Sequence, residues 1–500
     1  MSSEHLEDDA DFVIIGTGAG GATAARVLTE AGLSVLLLEE GPHLSTKERP
    51  RELLASMSAS FRDFGTQTTS GTRPFPLLQG RMVGGSTAIN SGIIWRIPED
   101  VRKDWIDNHG LADLVDEEEL SRIFDVIEDE LGVGETPREI FGGNCEKMAE
   151  ACEKLGLPGK AMRRNTPGCK GSGHCLQGCT EERRQSMDVS YIPRSLKKGA
   201  RLHALARADK VIVERGRAVG VVGKLLDRET RRPRGTFTVR AKRGVIVAAG
   251  ALHTPLILRR SGIRGMAGER FQAHPGTAIL GRFPEPINMS YGATQGYEVP
   301  MRDRGIKLET LSLPPEMLAT RIPGAGLEWQ ERLADMDHFA QWCTIVRMKA
   351  HGRVRESFGG EPNVAFTPLQ DDLDRTQYAA ALLCKMMFVA GATEVYPGIG
   401  GRPEILTDLS QVKLIEEGKL RQGDVHFMAS HLFGTACAGS DPKRSVVGND
   451  LQSHDVSSLY VMDASVFPTN MGVNPQHTIM ALVWRGAERL AERRVSAASG

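Results

Sequence analysis

The stretch Asp11-Phe-Val-Ile-Ile-Gly-Thr-Gly-Ala-Gly-Gly21 decides the fold of this chain. Its apolar, β-branched start predicts a buried parallel strand, and the glycines that follow have G-x-G-x-x-G spacing. Gly16 permits a tight turn, Gly18 lets backbone approach a pyrophosphate, and Gly21 lets a helix pack on the strand. The stretch therefore predicts a strand, a turn and a helix that together bind a dinucleotide.

The residues that follow complete a βαβ unit. Helix-forming residues continue to Glu30, and Gly32 ends the predicted helix. A second apolar run, Val35 to Leu38, leads to Glu39, whose carboxylate is predicted to bind a ribose hydroxyl. A G-x-G-x-x-G motif alone is a weak signal, but an acid at the end of the next strand makes it specific for a dinucleotide. The unit does not separate FAD from NAD.

Composition limits the classes of protein to which the chain can belong. The 500 residues include 25% charged residues and carry a formal net charge of -1, which does not favour a nucleic-acid partner. No apolar run approaches the ~18 residues of a membrane span. The acidic segment Met1 to Ala10 does not resemble a secretion signal, and eight cysteines in so long a chain do not form a disulfide framework. These features predict a reduced, cytoplasmic protein.

Patterning along the chain predicts two domains. The first is an α/β nucleotide-binding domain built from discontinuous segments, and the second is a substrate domain with an antiparallel β-sheet flanked by helices. The predicted nucleotide-binding segments are 1–150, 195–275 and 424–500. The predicted substrate-domain segments are 151–194 and 276–423, with a loop rich in Gly and Cys at 165–186.

Five sequence blocks together carry a resemblance to one family. They are Gly16–Gly21 with Glu39–Pro42, Gly80–Asn90, Ala248–Pro255 with Ser261–Ile263, His431–Thr435, and Asp463–Thr478. In this order they resemble the glucose–methanol–choline (GMC) oxidoreductases, over nearly the whole chain. The resemblance implies a Rossmann-like FAD-binding domain, a substrate domain of the p-hydroxybenzoate hydroxylase type, and oxidation of an alcohol to an aldehyde or ketone.

The resemblance also implies the catalytic residues. A His at the position of His431 removes the hydroxyl proton of the alcohol while a hydride passes to flavin N5. A His suits this step because its ordinary pKa of ~6.5 leaves much of it neutral at pH 7. Asn474 occupies the partner position, where an amide orients the substrate and donates to a developing oxyanion but cannot serve as a base. His477, three residues further on, is predicted to be structural.

The same blocks imply the residues that hold the cofactor. FAD is expected to be non-covalent, because Ile89 stands where some relatives carry the His that links the flavin. The N-terminus of the helix after Asn474 is expected to point N–H groups at the flavin. The predicted cofactor-binding residues are Gly16, Gly18, Ala19, Gly20, Gly21, Glu39, Glu40, Arg81, Val83, Gly84, Gly85, Ser86, Asn90, Val211, Ala249, Gly250, Asp463, Ala464, Asn474, Pro475 and Thr478.

Three cysteines in the 165–186 loop leave alternatives open. Cys169, Cys175 and Cys179 have C-x5-C-x3-C spacing, and three thiolates close together can hold an iron–sulfur cluster. Some relatives in multi-subunit bacterial glucose dehydrogenases have similar spacing and bind a three-iron cluster. Other relatives carry a similar loop as plain structure, which is the favoured interpretation here. The third alternative is zinc held with His174.

The sequence favours an alcohol or sugar hydroxyl as the substrate and leaves the electron acceptor open among oxygen, a quinone and a partner protein. Two alternatives remain: a non-redox lyase on the same fold, and an electron-transfer subunit that carries the cluster. Acids of the middle region could bind a cationic sugar, although a solvated charged face is the favoured explanation for them. These acids are Glu309, Glu328, Glu331 and Asp335.

Overall fold

The computed structural model of the protein describes residues 4–71 and 73–498. Its strands are β1 (Glu4–Ile15), β2 (Val35–Glu39), β3 (Thr69–Ser70), β4 (Gly134–Glu135), β5 (Lys160–Ala161), β6 (Arg163–Arg164), β7 (Arg201–Ala204), β8 (Ala206–Glu214), β9 (Arg217–Leu226), β10 (Pro233–Val247), β11 (Gln272–Ala273), β12 (Ala278–Arg282), β13 (Tyr297–Met301), β14 (Ile306–Thr310), β15 (Phe339–Val346), β16 (Arg353–Glu356), β17 (Pro362–Ala365), β18 (Glu394–Tyr396), β19 (Leu432–Phe433) and β20 (Leu459–Val461). Its α-helices are α1 (Ala19–Glu30), α2 (Leu53–Ser60), α3 (Glu99–His109), α4 (Glu117–Glu130), α5 (Gly142–Leu155), α6 (Tyr191–Lys197), α7 (Gly250–Arg260), α8 (Pro315–Ala319), α9 (Gly326–Ala334), α10 (Gln370–Val389), α11 (Lys413–Glu416) and α12 (Gln476–Ala498).

The first large sheet has the strand order β7-β2-β1-β10-β9-β8, and β20 also pairs with β10. Strands β7, β2, β1, β10 and β20 run parallel, whereas β9 runs antiparallel to both of its neighbours, β10 and β8. The buried ends of β1 and β2 are apolar, as the sequence predicts. Because the predicted strand begins at Phe12 and β1 begins at Glu4, the sheet extends further toward the N-terminus than expected.

The second sheet is antiparallel, with the order β18-β12-β15-β14-β13-β5. Directly paired residues share one face of a sheet. Glu309 pairs with Glu298 on one side and with Cys343 on the other, and Cys343 pairs with Ala278. Helix α10 covers the opposite face, where a Cβ on Gly281 would lie 2.8 Å from the Met387 sulfur. One face of this sheet is thus free to bound a site.

Two hydrophobic cores divide the molecule. The first packs around the parallel sheet with α1, α4, α6 and α12, and the second packs around the antiparallel sheet and α10. Helix α5 packs with the second core through Met148, Ala151 and Cys152, and the earlier residues Phe75 and Leu77 also belong to this core. Across residues 4–71 and 73–498, no helix is long and apolar enough to span a membrane.

Candidate active site

One cavity of about 1020 Å³ lies between the two sheets and takes lining residues from both. Sixteen of the predicted site residues line it. They are Gly16, Gly18, Ala19, Gly20, Glu39, Glu40, Gly85, Ser86, Asn90, Ala249, Gly250, His431, Asp463, Ala464, Asn474 and Pro475.

The glycine turn leaves open space where the sequence predicts a diphosphate. Gly16 has a φ of +97°, which favours glycine. A Cβ on Gly18 would meet no heavy atom within 4 Å, whereas a Cβ on Gly20 would lie 1.8 Å from the Met462 carbonyl oxygen and one on Gly21 2.0 Å from that of Gly16. Gly18 thus borders free volume at the N-terminus of α1, and the other glycines allow close backbone packing. This cradle fits a dinucleotide diphosphate.

Two buried carboxylates brace the half of the cavity that borders the glycine turn. Glu39 accepts from the backbone N–H and hydroxyl of Thr17 (3.1 and 2.6 Å) and from the Gly41 N–H (2.8 Å). Asp463 accepts from the Gly250 N–H (2.8 Å) and the Thr254 hydroxyl (2.5 Å) through one oxygen, and from Ser465 through the other. Burial raises the pKa of both carboxyls. Donors of the protein itself occupy most of the acceptor positions of these two carboxylates. Both carboxylates therefore serve first to fix the turns around the cavity.

Glu40 belongs to a charged cluster at the edge of the same half. Arg62 donates to it at 2.7 Å, and Arg81 lies 3.7 Å away. Burial by itself would raise the pKa of Glu40, but Arg62 and its neighbours lower it to about 2. Arg81 therefore acts through Glu40 and does not itself line the cavity.

Six predicted cofactor residues do not line the cavity: Gly21, Arg81, Val83, Gly84, Val211 and Thr478. Val211 is the clearest case, because its backbone N–H donates to the Ser261 hydroxyl at 2.8 Å. The part of β8 that does reach the cavity is Ala206–Asp209. Strand β8 therefore reaches the cavity at residues other than Val211, and a contact of this strand with adenine stays a prediction. Alternation along a partly buried strand does not show which of its ends meets the neighbouring domain.

His431 is placed by a short strand pair. Strand β19 pairs antiparallel with β11, and the register continues from Ala273 opposite Leu432 to His274 opposite His431. The two imidazole rings lie 5.6 Å apart at 84°. His431 is partly exposed toward the cavity. Burial first, and Lys307 second, lower its pKa below 6.5, so its ring is neutral and can accept a proton.

His274 is a cavity residue that the sequence did not single out. It is buried, its Nε2 contacts the Asn470 side chain (3.1 Å) and the Gly472 N–H (2.9 Å), and its Nδ1 has no partner among the described residues. Burial and then His431 lower its pKa well below the usual value. The position of His274 depends on a strand that lies far away in sequence, so no local signal indicated it.

Asn474 is held by a residue that the sequence analysis also missed. Lys307 of β14 is fully buried, and its Nζ lies 2.6 Å from Asn474 Oδ1, Glu298 Oε2 and Glu309 Oε1. Glu309 lines the cavity and also accepts from Gln295 Nε2 at 2.8 Å. Among the four middle-region acids considered from sequence, Glu309 alone lines the cavity. A buried Lys is rare without partners, and period-2 alternation along β14 was the one available hint.

The start of α12 also borders the cavity. Asn90 Nδ2 donates to Gln476 Oε1 at 2.7 Å, and Asn90 Oδ1 accepts from the Gly92 N–H at 2.9 Å. Asn90 thus holds the beginning of α12. His477 is fully buried, with Nε2 3.1 Å from Glu128 Oε1 and its ring against Phe124. These contacts agree with the structural role predicted for His477.

The three loop cysteines line one small cavity next to two buried arginines. Arg164 Nη2 donates to Cys175 Sγ at 3.2 Å, and the Arg184 N–H donates to Cys179 Sγ at 3.3 Å. Burial raises the pKa of the Cys175 thiol, but Arg164 and Arg184 bring it below its usual value. In the described part of the chain, no three His, Cys, Asp or Glu side chains are arranged to hold a metal ion.

Comparison with known proteins assigns the family. The model of the GMC oxidoreductase N-terminal region matches residues 10–276, and that of the C-terminal region matches residues 349–482. The chain belongs to the GMC oxidoreductase family. It is therefore a member of a family of flavoprotein oxidoreductases, as the sequence blocks imply.

Individual relatives agree with this assignment. An uncharacterized GMC-type oxidoreductase of Mycobacterium tuberculosis is 33% identical over 97% of this chain and 76% of its own length. Paromamine 6'-oxidase of Streptomyces fradiae is 28% identical (97% and 92% covered), and a long-chain-alcohol oxidase of Arabidopsis thaliana is 25% identical (98% and 69%). A solved pyridoxine 4-oxidase has the same fold, with a TM-score of 0.72 at 18% identity over 96% of this chain and 99% of that one.

Proposed function

We propose that the protein binds FAD non-covalently and oxidises an alcohol to an aldehyde or ketone in the cavity between its two sheets. One observation carries the proposal: a neutral His431 and the amide of Asn474 line the same cavity as the glycine turn. A base, a hydrogen-bond donor and a dinucleotide cradle that share one enclosed space are what alcohol oxidation by a flavin requires.

The cofactor half of the cavity has parts that suit each portion of FAD. Gly18 and the N-terminus of α1 would meet the diphosphate, and Ala206–Asp209 of β8 would meet the adenine end. Ile89, a side chain without a nucleophilic atom, lines the cavity at the position where some relatives link the flavin. When bound, FAD supplies the acceptor for the hydride of the alcohol.

The chain's own residues handle the proton and the orientation of the alcohol. His431 accepts the hydroxyl proton, because its ring is neutral and faces the cavity. Asn474 donates to the alcohol oxygen as negative charge develops there. The lining of the cavity also combines Glu309, Gln295 and Gln341 with apolar residues such as Leu313, and this mixture suits a polyol, a sugar or an alcohol with a second polar group.

The test is anaerobic mixing of purified holoprotein with a panel of alcohols and sugars while the flavin absorbance is followed. Bleaching by one chemical class supports the proposal and identifies the substrate class without reference to the acceptor. If dithionite bleaches the flavin but no member of a broad panel does, the result favours a lyase on the same fold.

Electron transfer through an iron–sulfur cluster at Cys169, Cys175 and Cys179 is a weaker candidate, because in the described residues these three thiols are not arranged to hold a metal ion. The observation in its favour is that Arg164 and Arg184, each about 1% exposed, have buried nitrogen atoms without a partner beside these thiols. Buried positive charge favours an anionic occupant. Iron and acid-labile sulfide in anaerobically purified protein would support the cluster, whereas zero iron would leave the loop as structure.

A further inference from the structure

Lys307 connects the antiparallel sheet to Asn474, the proposed hydrogen-bond donor of the active site. It lies on β14, whereas Asn474 lies just before α12 in the other half of the molecule. Its ammonium group is within 2.6 Å of three acceptors, namely Asn474 Oδ1, Glu298 Oε2 and Glu309 Oε1. An ammonium has three N–H donors and no acceptor, so each donor has one acceptor.

The two carboxylates are themselves held from their other sides. Glu298 accepts from Trp95 Nε1 at 2.9 Å and lies 3.7 Å from the Lys160 ammonium. Glu309 accepts from Gln295 Nε2 at 2.8 Å. The positive charges of Lys160 and Lys307 balance the negative charges of Glu298 and Glu309. The Lys307 ammonium is therefore held by one carboxylate on β13 and one on β14.

This arrangement restricts what the Asn474 amide can do. Because Lys307 cannot accept a hydrogen bond, the oxygen of the amide must face it, and the Nδ2 group must face away. No hydrogen-bond partner of Nδ2 is found in residues 4–71 and 73–498, and Asn474 lines the cavity with His431. Its oxygen is thus occupied, while its two N–H donors remain for a ligand in the cavity.

We propose that Lys307 is a positioning residue that holds the Asn474 amide with its N–H donors toward the reacting oxygen. Asn474 then acts only as a donor, so of these two residues His431 is the one that accepts the proton. The inference rests on the proposed alcohol oxidation and deepens it. Lys307 also helps to keep the pKa of His431 low, so that the imidazole is neutral and can accept the proton.

The test is a double-mutant cycle on the rate of anaerobic flavin reduction with Lys307→Met, Asn474→Ala and the combined variant. We expect Lys307→Met alone to slow reduction about 10- to 100-fold, as for the loss of an oriented donor. In the Asn474→Ala background the same change should cost about twofold or less, because residues that act as a unit are not additive. Equal losses in both backgrounds, or wild-type rates for Lys307→Met, would overturn the inference.

Two further variants keep the test decisive. Lys160→Met is the matched control, since Lys160 lies 3.7 Å from the same Glu298 but is half-exposed and does not touch Asn474; it should slow reduction far less than Lys307→Met does. If Lys307→Met does not fold because it leaves carboxylates unbalanced, Lys307→Met with Glu298→Gln replaces it in the cycle. This pair removes one charge of each sign, and Glu298 does not line the cavity.

A structural measurement separates this inference from the proposed function. In a crystal structure of the Lys307→Met holoprotein we expect the Asn474 side chain to leave its wild-type rotamer. An unchanged amide would contradict the positioning role even if the enzyme were slow. If no alcohol reduces the wild-type flavin, the proposed function fails, and the crystal structure still tests whether Lys307 holds Asn474.

Discussion

The wall of the cavity around the glycine turn is mostly backbone, whereas the wall around Lys307 consists of buried charged side chains. In the first region a Cβ at Gly20 would lie 1.8 Å from a carbonyl oxygen, and the carboxylate of Asp463 is occupied by neighbouring protein donors. In the second, one buried ammonium serves Glu298, Glu309 and Asn474 at 2.6 Å.

The difference between these two walls of the cavity indicates how each should respond to substitution. A cradle made of backbone suits the diphosphate that dinucleotides share, and a larger side chain would block it. A charged side-chain network is sensitive to the loss of a single charge, because each buried ion depends on its partners. We therefore expect a bulky side chain at the glycine turn to abolish flavin binding. Polar substitutions around Lys307 should change the rate of flavin reduction and its pH dependence.

The largest expected effect is on cofactor binding by Gly18→Val. A branched side chain would enter the space that borders Gly18, where a diphosphate must approach, so the variant should purify without bound flavin. The measurement is the ratio of flavin to protein absorbance. The matched control is Gly134→Val, since Gly134 also has no heavy atom within 4 Å of a Cβ but lies outside the cavity. A Gly18→Val protein that keeps its full flavin content would contradict the role of the glycine turn in this comparison.

The second-largest expected effect is on the rate of flavin reduction. Asn474→Ala removes the amide donor and should slow flavin reduction about 10²- to 10³-fold while FAD stays bound. Rapid-mixing absorbance under anaerobic conditions measures the rate, and flavin content measures binding. If the variant loses its flavin instead, Asn474 belongs functionally to the nucleotide half, and the division between the halves is wrong.

A smaller effect concerns pH. Because burial, and then Lys307, lower the pKa of His431 below 6.5, the neutral base is already present at and above that pH. The rate of flavin reduction should therefore stay constant from about pH 6.5 to pH 8.5, with any acid limb below this range. An acid limb centred at or above pH 7 would show that His431 is not the base or is not shielded.

The smallest effect is on stability through His274. Its pKa is lowered in the folded state, so the unfolded chain binds the extra proton and stability is lost as pH falls below about 6.5. The difference in free energy of unfolding between wild type and His274→Gln should thus decrease by about 1.4 kcal/mol between pH 7.5 and pH 5.5. Urea unfolding at the two pH values measures it, and a constant difference would contradict a buried, neutral His274.

The nucleotide half was largely predictable because its signals are local. A strand, three glycines and an acid within residues 11–39 predict the turn, although Gly16 and Gly20 also pack against Ala248 and Met462 from distant segments. The substrate half was predictable only at His431 and Asn474, through family resemblance. His274 lies beside His431 through sheet register, and Lys307 meets Asn474 through a side-chain contact between distant segments. A single sequence does not show either contact. Val211 shows the same limit, since the strand was predicted but its cavity-facing residues were not.

The central claim is that His431 takes the proton of an alcohol in this cavity, and the most direct test compares wild type with His431→Ala. His338→Ala is the control, because His338 bonds the Phe283 carbonyl oxygen and does not line the cavity. With the alcohol that best bleaches the wild-type flavin, we expect His431→Ala to keep its FAD and to be reduced about 10²- to 10⁴-fold more slowly, while the control is unchanged. Reduction of His431→Ala at the wild-type rate would contradict the account.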